Sequence, residues 1–324
     1  MTPQQQSIAT AQKDAYQAAH EGAVMVDRSA LGMLKFVGQT RLDLINRMST
    51  QKVDALEPGQ GAATVLTTDI GRIIDRLILY AGSQAAYCLT GENNNDAIAR
   101  YLMRFVFFND DFHIEDLSQE TFIFGVYGIE AQASLAGLLD QDVAVPRHHW
   151  REITLADRTA YLHRTDPVAG EGYFITGQQS DAELIWDTLK SAGLVPIQAD
   201  DFEYLRIESG LPRFDHELTQ DYIPLETELW ADVSFNKGCY TGQEIIARLE
   251  SRGRLAKRLV RLFPEAPISA GAELRAGNRV AGAVTSAAAG PEGPLALGYV
   301  KTSFLDESDP ILAAEDVPVK VVGL

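Results

Sequence analysis

Past Gly253 the chain loses its helical patterning altogether. The runs LVRLF, AELRAG, RVAGAVTSA, LALGYVK and VPVKVVGL are short, rich in strand-forming residues and separated by Gly, Pro and Asn turns. Strands this short must pair with one another or leave their edges open. Residues 253–324 are therefore read as a small all-β unit, a barrel or sandwich. Ala276-Gly277-Asn278 supplies a tight-turn signal inside it.

Residues 1–252 read differently, as helices and strands in alternation. Leu42, Ile45 and Met48 recur three apart behind Thr40, with Asp43 at the third position after it, which predicts a capped helix. Glu57-Pro58-Gly59 is a turn. ATVLTT and IIDRLILYA, joined through Asp69-Ile70-Gly71-Arg72, predict a β-hairpin. Ile98, Tyr101, Leu102, Phe105 and Val106 mark a further helix. FIFGVYGI and TAYLHRT read as strands. Ser180 to Glu183 is a capping box opening a helix that ends before Gly193, and Asp200 with Glu203 opens another that closes at Gly210. At 324 residues, two or three packed units are expected, in an α+β arrangement of mostly antiparallel sheets.

Charge restricts the partners. With 28 basic against 45 acidic residues the net charge is -17, which repels nucleic acid and anionic lipid unless cations gather locally. They do gather. Lys237, Arg248, Arg252, Arg254, Lys257, Arg258 and Arg261 face only Glu244 and Glu250, a local +5 that leaves -22 for the rest. A solvated helix face is one reading and an anion site another. No 18-residue apolar stretch exists to span a membrane, and the N-terminal residues resemble neither a secretory nor a transit peptide, so a cytoplasmic protein is expected.

Several chemistries lack their marks. Neither a P-loop nor a dinucleotide-binding glycine pattern nor a serine elbow is present. The six histidines have no zinc-ligand spacing, and two cysteines cannot assemble a resident iron–sulfur cluster or a disulfide framework, so no metal ligands are assigned.

The informative segment runs from Phe235 to Arg258. Thr241 and Glu244 form a capping box that predicts a helix starting near Gly242 and stopping at Gly253. Cys239 then lies just before a helix N-terminus with Lys237 two residues away, a setting that favours a reactive thiolate. Cys88, by contrast, reads as a buried small hydrophobe. Two acids stand out against apolar surroundings. Glu208 falls beside the apolar stripe of its helix, and Asp75 lies inside IIDRLILYA with Arg76 predicted on the opposite face. Each carboxylate must pair with a cation or meet a ligand's N–H donors.

KGCYTGQE, Lys237 to Glu244, resembles the signature of the YgfZ/IBA57 folate-binding proteins, relatives of the glycine-cleavage T-protein. LKFVGQTRLDLINRMST, TTDIGRIIDRLILY and YLRIESGLPRFDHEL with IPLETEL extend the resemblance over nearly the whole chain. It implies two ferredoxin-like lobes around a central tetrahydrofolate channel in residues 1–252, and a C-terminal β-barrel in 253–324. It also implies a role in assembly or repair of iron–sulfur enzymes, some of them tRNA-modifying. The partners implied are reduced folate and iron–sulfur client or assembly proteins, with no DNA and no membrane. By the same resemblance Cys239 is the functional cysteine, Glu208 holds the pterin edge, Lys237 is a cation near the folate, and Asp75 is the weaker remnant of an acid pair that T-proteins carry complete; Arg248, from the basic cluster, is a further candidate cation for the folate tail. The alternative implied is a folate-dependent aminomethyl or one-carbon transferase.

Overall fold

The computed structural model describes residues 3–306 and 312–324. Its longer helices are α1 (Pro3–Glu21), α2 (Arg41–Met48), α3 (Asn95–Met103), α4 (Ala131–Leu139), α5 (Ala182–Ser191), α6 (Ala199–Glu208) and α7 (Gln243–Arg252). The chain starts one sheet with Val24–Asp27, leaves it to build a second from residues 31–116, then returns to complete the first.

The completed sheet has six strands in the order Val195–Pro196, Val24–Asp27, Thr121–Gly128, Glu171–Gln178, Arg158–Arg164, Trp150–Leu155. Only the first pair is parallel. The inserted sheet is antiparallel throughout, in the order Gly61–Thr67, Ile73–Ala81, Ala85–Glu92, Leu31–Val37, His113–Asp116. Val24, Val26, Ile123, Tyr127 and Phe174 of one sheet bury against Met33, Ile78, Tyr80 and Leu89 of the other. The outer faces carry separate cores. Leu135 of α4 and Ile185 and Leu189 of α5 cover the first sheet, while Leu44 and Ile45 of α2 and Ile98 and Leu102 of α3 cover the second. The layering is thus helices, sheet, sheet, helices, so strands such as Ile73–Ala81 are buried on both faces and read as continuous apolar runs.

The β-rich tail closes into a six-stranded barrel between Lys257 and Gly323, with Lys257–Pro264 pairing to both Gly293–Lys301 and Val317–Gly323. Gly277-Asn278 forms the predicted tight turn, joining the paired residues Ala276 and Arg279. Among the described residues no helix is long and apolar enough to cross a membrane.

The predicted helices form, but four predicted caps do not. Thr40 donates its hydroxyl to the Asp111 carbonyl at 2.9 Å instead of capping α2. Ser180 falls inside a 3-10 turn (Gln179–Asp181) that precedes α5. The capping box of α6 is Gln198 with Asp201, not Asp200 with Glu203, and Gly242, not Thr241, is the N-cap of α7. In the first of these a tertiary acceptor takes the hydroxyl that sequence pattern reserves for the helix end.

Candidate functional site

The hairpin strand Ile73–Ala81 brings Asp75 and Arg76 to the same cavity, between the two sheets and beneath the 211–218 segment. Strict strand alternation would separate them, so the expectation that Arg76 faces away is corrected. Asp75 is fully buried. Its Oδ2 accepts N–H bonds from Gly91 at 2.8 Å and from the Asn94 amide at 2.9 Å, and its Oδ1 accepts the Arg76 N–H at 2.8 Å. Burial pushes its carboxyl up to about 6, against the pull of those three donors. Gly91 permits the contact. A Cβ there would lie 2.9 Å from Asp75 Oδ1 and 2.4 Å from the Phe214 ring, so only glycine lets Phe214 close over the carboxylate.

Arg76 is the hub of a buried ion network. Its Nε donates to Asp232 Oδ2 at 2.6 Å and its Nη1 to Asp166 Oδ2 at 2.7 Å. Burial acts to raise the Asp166 carboxyl, but Arg76, His148 and Arg147 outweigh it and hold Asp166 down to about 2. His148, 3.9 Å from Asp166, is pushed down to about 4, chiefly by its own burial. Three segments far apart in sequence are tied together here: the hairpin strand, the loop at 166 and the 3-10 turn Trp230–Asp232.

A second network lines the α6 side. Arg206, almost wholly buried, donates to Glu217 Oε2 at 3.0 Å, to the Leu211 carbonyl at 3.1 Å, to Ser286 of the barrel at 2.6 Å and to Glu203. Arg213 reaches Glu203 and Glu92, and Arg28 reaches the same Glu92 at 3.0 Å. The cavity wall therefore carries Arg28, Arg76, Arg206 and Arg213 against Asp75, Glu92 and Asp166. Sequence reasoning passed over most of these residues. Arg206, set between Leu205 and Ile207 on α6, was the one legible signal, since an arginine on an apolar face needs a buried partner.

The KGCYTGQE loop docks on the turn of the same hairpin. Thr67 Oγ1 donates to the Thr241 carbonyl at 2.6 Å. Gly242 sits at φ 84, and a Cβ on it would lie 2.6 Å from the Thr68 carbonyl and 2.9 Å from Gly71 Cα. Lys237 is buried, and its ammonium donates to the carbonyls of Asn46, Ser49 and Gln51 at 2.6, 2.8 and 2.8 Å. It thereby satisfies carbonyls at the C-terminal end of α2, where a cation also meets the negative end of the helix dipole. Burial pushes this ammonium down to about 8.

The five residues singled out from sequence do not converge. Asp75 lines the central cavity; Glu208, Lys237, Cys239 and Arg248 do not. Glu208 accepts the Tyr16 hydroxyl at 2.8 Å and pairs with His20 at 3.0 Å, on the α1 side of α6. It lies two positions after Arg206, about 200° around the helix, which turns one to the cavity and the other away. Arg248 pairs along α7 with Glu244 at 2.6 Å, so Glu244 serves a surface pair rather than the predicted capping box. Cys239 is exposed and Cys88 buried. An interior chamber bordered by both the Cys239 sulfur and Glu208 is not what this cavity is. Among the described residues no group of three or more His, Cys, Asp or Glu side chains is arranged to hold a metal ion.

Two packed sheets, a closed barrel and a buried acid–guanidinium cavity define a three-part α+β protein of aminomethyltransferase-like fold. The chain belongs to the family described as the GCVT N-terminal domain, whose model matches residues 2–237 and so ends within the Lys237–Glu244 motif. It is 28% identical over 311 residues to an Arabidopsis thaliana protein named "Putative transferase At1g60990, chloroplastic", covering 94% of this chain and 71% of that one. It is also 28% identical over 254 residues to the aminomethyltransferase of Bacillus subtilis, covering 76% of this chain and 69% of the relative. The crystal structure of glycine cleavage system aminomethyltransferase T from Bartonella henselae superposes with a TM-score of 0.83 at 21% identity, over 97% of this chain and 88% of that one, a likeness of fold.

Proposed function

We propose that this protein binds a reduced folate at the central cavity and serves as an accessory factor for assembly or repair of iron–sulfur enzymes, without aminomethyl turnover. The observation that carries the choice is Arg76. The acid pair that T-proteins place on this strand reads Asp75-Arg76 here, so the second position carries no carboxylate and its guanidinium is held between Asp166 and Asp232. Family membership and the aminomethyltransferase relatives support the folate itself.

The wall chemistry suits a pterin. Asp75 Oδ1 holds one donor and keeps a lone pair for an N–H edge, and Arg28 and Arg213 offer cations at the rim for a carboxylate tail. The cavity encloses about 90 Å³, below the roughly 150 Å³ that takes up benzene in an engineered apolar cavity, so a bicyclic pterin enters only if Phe214 and Arg213 withdraw. Bound there, the folate supplies one-carbon or redox chemistry; the chain's part is to orient it through Asp75 and exclude water by closing Phe214. The exposed Cys239 lies outside this cavity and is available to a client protein, as transient cluster or sulfur acceptor. The two lobes around the folate would have ferredoxin-like character.

Titration with tetrahydrofolate, followed by tryptophan fluorescence, tests the binding, and complementation of iron–sulfur enzyme activity by Cys239→Ala tests the role. Saturable micromolar binding with lost complementation is expected; full complementation by C239A would sink the accessory role. The relatives' names favour a second reading, aminomethyl transfer. Robust methylene-tetrahydrofolate formation from an aminomethylated carrier protein would replace the first reading with it.

A further inference from the structure

A second cleft, of about 1100 Å³, lies between the exit of α7, the turn at Arg72, the 3-10 turn at Trp230 and the first barrel strand, and shares no lining residue with the central cavity. Five cations line it: Arg72, Arg254, Lys257, Arg258 and Lys301. Among the described residues only Arg258 of these five is ion-paired, to Glu228 at 2.6 Å. Arg72 and Lys257 both donate to the Asp221 carbonyl, at 2.7 and 3.0 Å, and Lys301 to the Val280 carbonyl at 2.7 Å. Carbonyl acceptors satisfy N–H groups without cancelling charge, so the five cations outnumber the acids Glu226, Glu228 and Asp306 at the cleft and keep it positive in a chain of net charge -17.

Two further features narrow the occupant. Glu226 is 95% buried in the cleft wall (5% exposed), and its Oε2 has no hydrogen-bond partner. Burial raises this carboxyl, and Oε2 is itself enclosed, so a ligand's N–H reaches it only as the wall opens. Trp230, in the same wall, is 41% exposed and offers a flat ring face. Cations for an anion, an indole for a planar ring and a carboxylate oxygen for an N–H edge match the three parts of a nucleotide.

We propose that this cleft is a nucleotide site: phosphate on Arg254, Lys257 and Lys301, base against Trp230, base N–H to Glu226. The nucleotide is either free or part of a single-stranded RNA.

Guanosine monophosphate and a guanosine-containing single-stranded oligoribonucleotide are titrated into the full chain at low salt, read by Trp230 quenching and by anisotropy. Binding should weaken at least about tenfold in Arg254→Glu/Lys301→Glu, both exposed, and fall steeply with salt. Trp230→Ala and Glu226→Gln should each weaken it separately, and Asp75→Asn should leave it unchanged, which separates this site from the folate reading. Equal affinity of the two probes identifies a free nucleotide as the ligand; tighter oligonucleotide binding identifies a strand. Failure of both probes to bind, or displacement of either by polyglutamate at equal charge concentration, overturns the proposal.

Discussion

Arg76 Nε and Asp232 Oδ2 lie 2.6 Å apart, joining the central hairpin to the turn that leads into the KGCYTGQE loop. Asp232 is held in turn by its own backbone, whose carbonyl accepts the Thr50 hydroxyl at 2.6 Å. The bond is buried at both ends, so it couples cavity and loop in a medium that screens it little.

Removing one partner of this network leaves the others uncompensated. Arg76→Met strands Asp166 and Asp232 as buried carboxylates and should cost about 3–5 kcal/mol. Urea unfolding at neutral pH measures it, and a loss below about 1 kcal/mol would show the network to be dispensable.

Asp75 and Asp166 have opposite pH signatures. Asp75 is raised on folding, so the stability linked to it is complete below its unfolded value near 4 and is lost as pH climbs through about 6. Asp166 is lowered, so its contribution is present above about 4 and lost as pH falls toward 2. Asp75→Asn should remove a decline on the order of 3 kcal/mol between pH 4 and 7, checked by unfolding across that range. An unchanged slope would contradict the buried, ionising carboxylate.

Lys237→Met deletes the donor to three backbone carbonyls near the end of α2. Each unpaired buried carbonyl costs about 1–3 kcal/mol, less where water enters, so a total of about 2–4 kcal/mol is expected in denaturant unfolding. Alkylation of Cys239 should quicken as its loop loosens, and an unchanged rate together with unchanged stability would rule the clamp out.

Gly242→Ala places a methyl against the Thr68 carbonyl and Gly71 at a backbone angle alanine resists. A loss of about 2 kcal/mol is expected, seen as a lower Tm. Gly253→Ala is the control, since its φ of 61 is also left-handed but nothing lies within 4 Å of its Cβ. A comparable loss there would assign the effect to φ alone.

Local pattern was enough to read five of the six barrel strands (Leu312–Ala314 is the one it missed), the Gly277-Asn278 turn, the central hairpin, α2 and α7, and the burial of Cys88. Periodicity and turn chemistry act over a few residues, and these features are local in that sense. Asp75 was legible for the same reason, as an acid inside an apolar strand.

What the sequence could not convey is which distant groups meet. Whether Glu208 faces a cavity or His20, and whether Lys237 meets a ligand or three carbonyls, depends on how α6 and the loop before α7 dock. Thr40 fits the capping pattern and yet its hydroxyl is drawn to the Asp111 carbonyl. Composition, element type and family resemblance were written in the chain; the Arg76–Asp166–Asp232 network, the closing of Phe214 over Gly91 and the cation-lined cleft at Trp230 arise only when two sheets and a barrel pack, because the energy of a buried charge is set by neighbours that lie 90 and 156 residues away in the case of Arg76.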